Sequence, residues 1–318
     1  MSLSRQARGR AALGMLLAAL LAPAARGRTF YVTVAGLGGE PDYEQRFTGW
    51  AKDLDAVFRA SSDSVVHTLR GEEARAERVR ELLERIAREA GPDDALAVML
   101  IGHGTFDGHE YKVNLPGPDL SGLELAALLD RVPAGAQMVA NMTSASGATI
   151  EALRRTNRTV IAATKSGSER NAAVFARYWV AALQDAAADV DKNEVISALE
   201  AFTYATRKTQ EFYTTQKRLA TEHALLEDTG EGDGVREPSP ANGRGLSAGK
   251  FALLRIGQAQ LAARDPAKGR LLEKKEQIEQ AIDKLKYEKA AMPLEEYRAK
   301  LTGLLIELAK TQKEIDAR

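Results

Sequence analysis

Segments typical of strands and of helices alternate five times between Thr29 and Asp185. The strand-type runs are short and rich in apolar and β-branched residues: TFYVTV (29–34), SVVHTL (64–69), ALAVMLI (95–101), AQMVAN (136–141) and TVIAAT (159–164). This alternation predicts an α/β fold in which helices cover both faces of a mostly parallel sheet. Because ligands of such sheets bind outside the carboxyl ends of the strands, the residues that follow each strand are the candidates for function.

The first 24 residues are predicted to form a signal peptide. Arginines precede an apolar run, Ala11–Ala22, which the small-residue sequence Ala22-Pro23-Ala24 closes. A run of this length is too short to cross a bilayer core of about 30 Å as a helix. We therefore expect an exported protein, periplasmic or secreted, without a membrane span after signal removal. An uncleaved N-terminal anchor is the alternative.

Charge balance and cysteine content exclude several classes of function. Lys+Arg and Asp+Glu both number 44, so the formal net charge is zero and the basic bias of nucleic-acid-binding proteins is missing. The chain has no cysteine, which excludes disulfides, zinc–thiolate sites and a cysteine nucleophile. We expect no nucleic-acid partner, no cofactor and no metal site.

Beyond the signal peptide, two regions are predicted: a main domain over residues 25–262 and an appendage over 263–318. A long helix is expected from Glu194 to about Leu226. An acidic Gly/Pro-rich loop over 227–250 follows and is expected to be solvated. Its segment Glu227–Gly234 has oxygen-bearing residues at intervals, as calcium loops do, but lacks a glutamate at the required end.

The appendage has the pattern of two charged helices, Arg270–Glu288 and Leu294–Ala317, with a break next to Pro293. The second helix carries a coiled-coil seam with 3-4 spacing: Leu294, Tyr297, Leu301, Leu304, Leu308, Thr311 and Ile315. An antiparallel helical hairpin is therefore predicted. It either caps the main domain or mediates self-association or partner docking through residues 270–318.

Polar motifs follow two of the predicted strands. Gly102-His103-Gly104 comes directly after ALAVMLI, and Thr143-Ser144 follows AQMVAN. Adjacent strands lie roughly 5 Å apart, so the Ser144 hydroxyl is expected to meet the His103 imidazole as a nucleophile meets its base. The Gly104 N–H is then a candidate oxyanion donor. The alternative is that the hydroxyl residues simply cap the next helix.

These motifs resemble, in their order, the legumain-type cysteine peptidases, which are relatives of the caspases and gingipains. The matching stretches are Leu100–Gly104, Asn114–Leu120 and Thr143–Gly147, within a resemblance that covers about Thr29 to Trp179. It implies a caspase-like three-layer sandwich. Setting Ser146-Gly147 on the Ser-Gly of the family implies that His103 is the general base, that Gly104 is the oxyanion glycine and that Ser144 replaces the cysteine.

This replacement changes the expected chemistry. A serine needs strong general-base help and usually a third, orienting group, for which only Asp107 and Glu110 are candidates. We therefore expect a catalytically impaired peptidase homologue that binds peptides or a protein partner. Two alternatives stay open: a serine hydrolase that uses Ser144 and His103, and a structural envelope protein that acts through the C-terminal hairpin.

Residues for substrate binding are predicted from their position in the strand-end loops alone. They are Tyr43, Glu44, Thr143 and Lys165.

Overall fold

A computed structural model describes residues 27–61, 64–262 and 265–317, and the predicted signal peptide lies outside these ranges. The strands are β1 (Thr29–Ala35), β2 (Ser64–Arg70), β3 (Ala95–Ile101), β4 (Gly104–Phe106), β5 (Tyr111–Val113), β6 (Leu120–Ser121), β7 (Ala136–Asn141), β8 (Arg158–Ala162), β9 (Val195–Ser197), β10 (Leu225–Glu227) and β11 (Ala252–Arg255). The α-helices are α1 (Pro41–Arg59), α2 (Ala76–Glu89), α3 (Gly122–Leu129), α4 (Ile150–Leu153), α5 (Phe175–Ala182), α6 (Ala198–Thr215), α7 (Leu246–Lys250), α8 (Gly257–Ala262), α9 (Pro266–Glu288) and α10 (Leu294–Asp316).

The five strand-type runs of the sequence become β1, β2, β3, β7 and β8 of a six-stranded sheet. The strand order is β10-β8-β7-β3-β1-β2. All neighbours among the five predicted strands pair in parallel, and only β10 is antiparallel, at the edge beside β8. The carboxyl ends of the five parallel strands therefore meet at one edge of the sheet.

Helices cover both faces of this sheet. Successive side chains of a strand point to opposite faces. Tyr31 and Met99 accordingly pack with α1, α5 and α6, whereas Val32 and Val98 pack with α2 and α3. The predicted α/β three-layer sandwich with a mostly parallel sheet is confirmed. None of the described helices combines the length and apolar character needed to cross a bilayer.

Two small antiparallel sheets flank the main one. β4, β5 and β6 form a three-stranded sheet that begins at Gly104, directly after β3 and His103. β9 pairs with β11 on the other side of the fold. The first of these sheets fixes the chain that leaves β3 and thus bears on the candidate site.

The long helix predicted from Glu194 to Leu226 is wrong at both ends. β9 occupies the start of this range, α6 covers only Ala198–Thr215, and β10 begins at Leu225. α6 stops next to Lys217, whose φ of 52° is incompatible with a right-handed helix. The helix-forming composition of the segment is thus overridden by pairing with the open edge of β8.

The loop over 227–250 begins with two acidic residues that are buried, contrary to the predicted solvation. Glu227 has no exposed surface, and its Oε1 accepts a hydrogen bond of 2.8 Å from the Arg244 guanidinium. The Asp228 carboxylate accepts the backbone N–H groups of Gly245, Ser247 and Ala248 at the start of α7. These contacts anchor both ends of the loop to the domain.

The C-terminal helical hairpin is confirmed as α9 and α10, joined through residues 289–293. α9 is attached to the domain by a bidentate pair between Arg255 and Glu276, with both N···O distances 2.8 Å. α10 packs on α9, and its predicted seam is partly buried from Tyr297 onward, whereas Leu294 is mainly exposed.

Replacing Asp228 should destabilise the fold, because Asp228→Ala leaves three backbone N–H groups near α7 without their acceptor. We expect a loss of about 2 to 3 kcal/mol in the free energy of unfolding. Urea denaturation followed by circular dichroism measures it. The matched control is Asp233→Ala in the same loop, where the side chain is fully exposed and the change should stay within about 0.5 kcal/mol. Equal stability of both variants would contradict the anchoring role.

Candidate functional site

The carboxyl ends of β3 and β7 lie side by side, as their parallel pairing requires. Leu100 is paired with Asn141, and the Met142 N–H donates to the Leu100 carbonyl at 2.9 Å. Both chains then turn sharply. Gly102 has a φ of 147°, a conformation that favours glycine, and Ala145 has a φ of 56° although it carries a side chain. The two predicted motifs therefore come together at this edge.

Ser144 is bonded to both backbone groups of Gly104. The Gly104 N–H donates to the Ser144 Oγ at 3.0 Å, and the Ser144 hydroxyl donates to the Gly104 carbonyl at 3.1 Å. The Ser144 side chain is buried. The predicted nucleophile and the predicted oxyanion donor thus satisfy each other, and the single hydroxyl proton of the serine is already engaged.

This approach of β4 to the β7 turn depends on the missing side chain of Gly104. A Cβ at this position would lie 2.5 Å from the Ser144 carbonyl oxygen, 2.6 Å from the Tyr111 hydroxyl and 2.7 Å from the Thr143 Oγ1. Real Cβ atoms essentially never make such short contacts. Gly104 therefore has a packing role in addition to its hydrogen bonds.

A buried network of hydrogen-bonded side chains holds the turn that follows β7. The Thr143 hydroxyl is bonded to the Tyr111 hydroxyl at 2.5 Å and to Asn141 Oδ1 at 2.8 Å. Burial raises the pKa of Tyr111 to about 12, so its phenol stays neutral in this network. Thr143, predicted to bind substrate, has no exposed surface and instead holds the turn in place.

The His103 imidazole packs against two aromatic rings of α1. Its ring centroid lies 4.9 Å from that of Tyr43 and 5.1 Å from that of Phe47, both in edge-to-face geometry. Within residues 27–61, 64–262 and 265–317, the imidazole makes no hydrogen bond to Ser144 or to a carboxylate. The structure thus brings the backbone of the two motifs together but not their side chains.

The two candidate carboxylates for orienting His103 are used elsewhere. Asp107 accepts the backbone N–H groups of His109 and Glu110, which hold its pKa below the usual range. Glu110 pairs with Lys112 at 3.1 Å. Neither carboxylate can act as the third member of a triad in this arrangement.

A cleft of about 700 Å³ lies beside His103, because Tyr43 and Phe47 contact the imidazole and also line the cleft. α1, α5, the end of α6 and the segment 171–174 form its walls. The lining residues include five aromatic rings and three arginines: Tyr43, Phe47, Trp50, Phe212, Tyr213, Arg46, Arg177 and Arg218. No Asp or Glu is among the described lining residues, and of the three lining arginines Arg46 lies 4.0 Å from the Asp42 carboxylate, so the cleft carries a surplus of positive charge.

Two further residues predicted to bind substrate do not line this cleft. Glu44, in the first turn of α1, is directed toward the preceding loop, where its Oε2 accepts the Gly38 N–H at 2.9 Å. Lys165 is exposed, and its ammonium lies 3.8 Å from the Glu169 carboxylate. Of the four residues predicted from position, Tyr43 alone belongs to the cleft among the described residues.

A second histidine, not predicted from the sequence, lies at this edge. His223 Nδ1 lies 2.5 Å from the Glu169 Oε1, and the Glu169 carbonyl accepts the Ala145 N–H at 2.8 Å. The pair thus buttresses the turn that carries Ser144. The two residues are 54 positions apart in the sequence, and no spacing signal links them.

Glu222 forms part of the framework beneath the cleft. It is buried, and its carboxylate accepts the N–H groups of Val174 and Phe175 at the start of α5 together with the Tyr213 hydroxyl. Burial raises the pKa of Glu222, whereas these donors oppose the shift. Glu222 therefore fixes α5 against the end of α6, and both elements contribute to the cleft.

Comparisons with known proteins give structural similarity without sequence similarity. No family model matches the chain, and no curated protein matches it. The crystal structure of a Geobacter sulfurreducens protein is similar, with 12% sequence identity and a TM-score of 0.47. The match covers 73% of this chain and 100% of the Geobacter chain.

Two caspase structures are also similar. The Drosophila initiator caspase Dronc has 12% identity and a TM-score of 0.39, covering 64% of this chain and 80% of its own. Caspase-1 from Spodoptera frugiperda has 11% identity and a TM-score of 0.41, and the match covers 64% of this chain and 86% of the caspase chain. Values this low assign the chain to no family.

Gly104→Ala should destabilise the protein, because the added methyl group would force β4 away from the β7 turn. Overpacking of this kind costs about 1 to 3 kcal/mol in the free energy of unfolding. The control is Gly49→Ala in α1, where a Cβ meets nothing within 4 Å and the helix should gain about 0.5 to 1 kcal/mol. Thermal and urea unfolding of the two variants give the comparison. A Gly104→Ala protein as stable as the parent would show that the close approach is not required.

Proposed function

We propose that this chain is an exported peptidase homologue that binds peptide segments of a partner and does not cleave them. The observation that carries the proposal is the reciprocal bonding of Ser144 and Gly104. The layout of the motifs resembles that of a peptidase, whereas Ser144 and Gly104, which would act as nucleophile and oxyanion donor, are bonded to each other.

Hydrolysis by Ser144 lacks three requirements. The hydroxyl proton is donated to the Gly104 carbonyl and not to a base. The Gly104 N–H, needed for the oxyanion, already donates to the serine. His103 has aromatic neighbours and no orienting carboxylate among the described residues. No cysteine is present to replace the serine as nucleophile.

Binding is supported by the cleft beside His103. Its volume of about 700 Å³ is typical of ligand pockets, which run from about 300 to 1,000 Å³. Aromatic residues and arginines, which make up most of its lining, dominate the binding energy of many protein interfaces. The surplus of arginine favours a peptide segment with acidic side chains.

The absence of catalysis is tested with a fluorophosphonate probe on the purified protein. We expect no covalent labelling and no turnover of peptide or ester libraries, for the parent protein and for Ser144→Ala alike. We expect no peptidase activity in Ser144→Cys either, because the side chain at this position is buried against Gly104. Labelling that disappears in Ser144→Ala would instead establish a serine hydrolase.

The binding surface is tested by selecting peptides from a display library on the immobilised protein. Selected peptides should be acidic and should lose affinity at high salt. Trp50→Ala should weaken their binding about tenfold or more, and Arg177→Gln should weaken it to a similar extent. Fluorescence anisotropy gives these dissociation constants.

The matched control is Arg78→Gln on α2, which lies on the opposite face of the sheet and carries an exposed guanidinium. Its effect on affinity should be less than about twofold. If the selected peptides bind the Trp50→Ala protein as tightly as the parent, the cleft is not the binding site.

A further inference from the structure

The segment from Asp189 to Glu200 reads DVDKNEVISALE. Side-chain oxygens stand at positions one, three, five, nine and twelve of these twelve residues, and an isoleucine stands at position eight. This is the ligand spacing of the EF-hand calcium loop, in which position seven contributes its backbone carbonyl and position twelve is a glutamate. The segment 227–234 lacks this terminal glutamate, whereas Glu200 occupies the required place.

One residue departs from the EF-hand pattern. Position six of the loop is normally glycine, because the chain turns sharply there. Glu194 takes this place, and its φ of 67° is the left-handed value that a glycine would adopt. The loop thus has the required backbone turn without the usual residue.

The fold brings the carboxylates of this loop together. One oxygen from each of Asp189, Asp191 and Glu200 lies within 4.8 Å of the others. Asp189 is buried, and its two oxygens accept the N–H groups of Asn193 and Glu194, which closes the loop on itself. The three carboxylates that converge in space are those at positions one, three and twelve of the sequence pattern.

The negative charge of this group has no cationic partner among the described residues. No Lys, Arg or His side chain lies within ion-pair distance of these three carboxylates. Lys192, inside the loop, donates instead to the backbone carbonyls of Ala186 and Asp189. Three carboxylates at this separation repel one another unless a cation neutralises them.

The second half of the loop also has the secondary structure of a calcium-binding unit, a short strand followed by a helix. The loop leads through β9, which pairs with β11, and directly into α6. This places Glu200 in the first turn of a long helix. The Glu200 carboxylate accepts hydrogen bonds from the N–H groups of Val190 and Ser197 and from the Ser197 hydroxyl. A bound cation would replace some of these donors at the carboxylate oxygens.

We propose that residues 189–200 bind one calcium ion, separately from the peptide cleft. Asp189, Asp191, Asn193 and Glu200 supply side-chain oxygens, and Val195 supplies its backbone carbonyl. An all-oxygen set with a backbone carbonyl suits calcium, which takes six to eight oxygen ligands with flexible geometry. Zinc and copper prefer the sulfur and imidazole ligands that this loop lacks.

The test is calcium titration of the purified full chain, freed of metal by a chelator, in an isothermal calorimeter. We expect one calcium ion per chain with a dissociation constant between about 10⁻⁷ and 10⁻³ M. The melting temperature should rise with calcium concentration because the ion binds the folded state. Magnesium at the same concentration should produce a much smaller shift.

Variants separate this site from other acidic surface. Asp191→Asn and Glu200→Gln should each weaken calcium binding about tenfold or more, and Asp191 is exposed, so its replacement should leave the fold intact. Asp233→Asn, in the other acidic segment, is the matched control and should bind calcium as the parent does. An absence of binding heat and of any melting shift at about 10 mM calcium overturns the proposal. Binding that Asp191→Asn and Glu200→Gln leave unchanged overturns it equally.

Discussion

The parallel pairing of β3 with β7 is the constraint on which the candidate site depends. It places the chain after Ile101 against the chain after Asn141, and the missing side chain of Gly104 then permits direct backbone contact with the Ser144 turn. The same closeness that assembles the motifs also makes Ser144 and Gly104 hydrogen-bond partners. The close approach of the two chains therefore gives a tightly packed turn whose polar groups are hydrogen-bonded to each other. The cleft lies beside His103 instead.

The sequence predicted the fold well because the information was local. The run ALAVMLI is typical of a strand buried on both faces, and five strand-type runs in alternation with helices leave few possible arrangements. The prediction for the segment 194–226 was wrong because its composition favours a helix throughout. Its ends are set by long-range pairing of β9 with β11 and of β10 with β8. Local propensity carries no information about such partners.

The candidate site was predictable in its position but not in its bonding. The strand order predicted that Ser144 lies close to Gly104. The direction of a side chain after a sharp turn, however, depends on backbone dihedral angles, and the residue type does not predict values such as the φ of 56° at Ala145. Hydrogen-bond partners that are distant in the sequence could not be predicted either. Glu227 looked solvated because Arg244 is 17 residues away, and the pairing of Glu169 with His223 spans 54.

α6 connects the segment 189–200 with the cleft beside His103. It begins at Ala198, inside the segment 189–200, and near its other end Phe212 and Tyr213 form part of the cleft wall. A helix of 18 residues is about 27 Å long and behaves as a stiff rod. A tilt of about 5° at its first turn would displace its last turn by about 2 Å, which is comparable to the radius of an atom. A change in the loop that tilts α6 would therefore alter the width of the cleft at the other end of the helix.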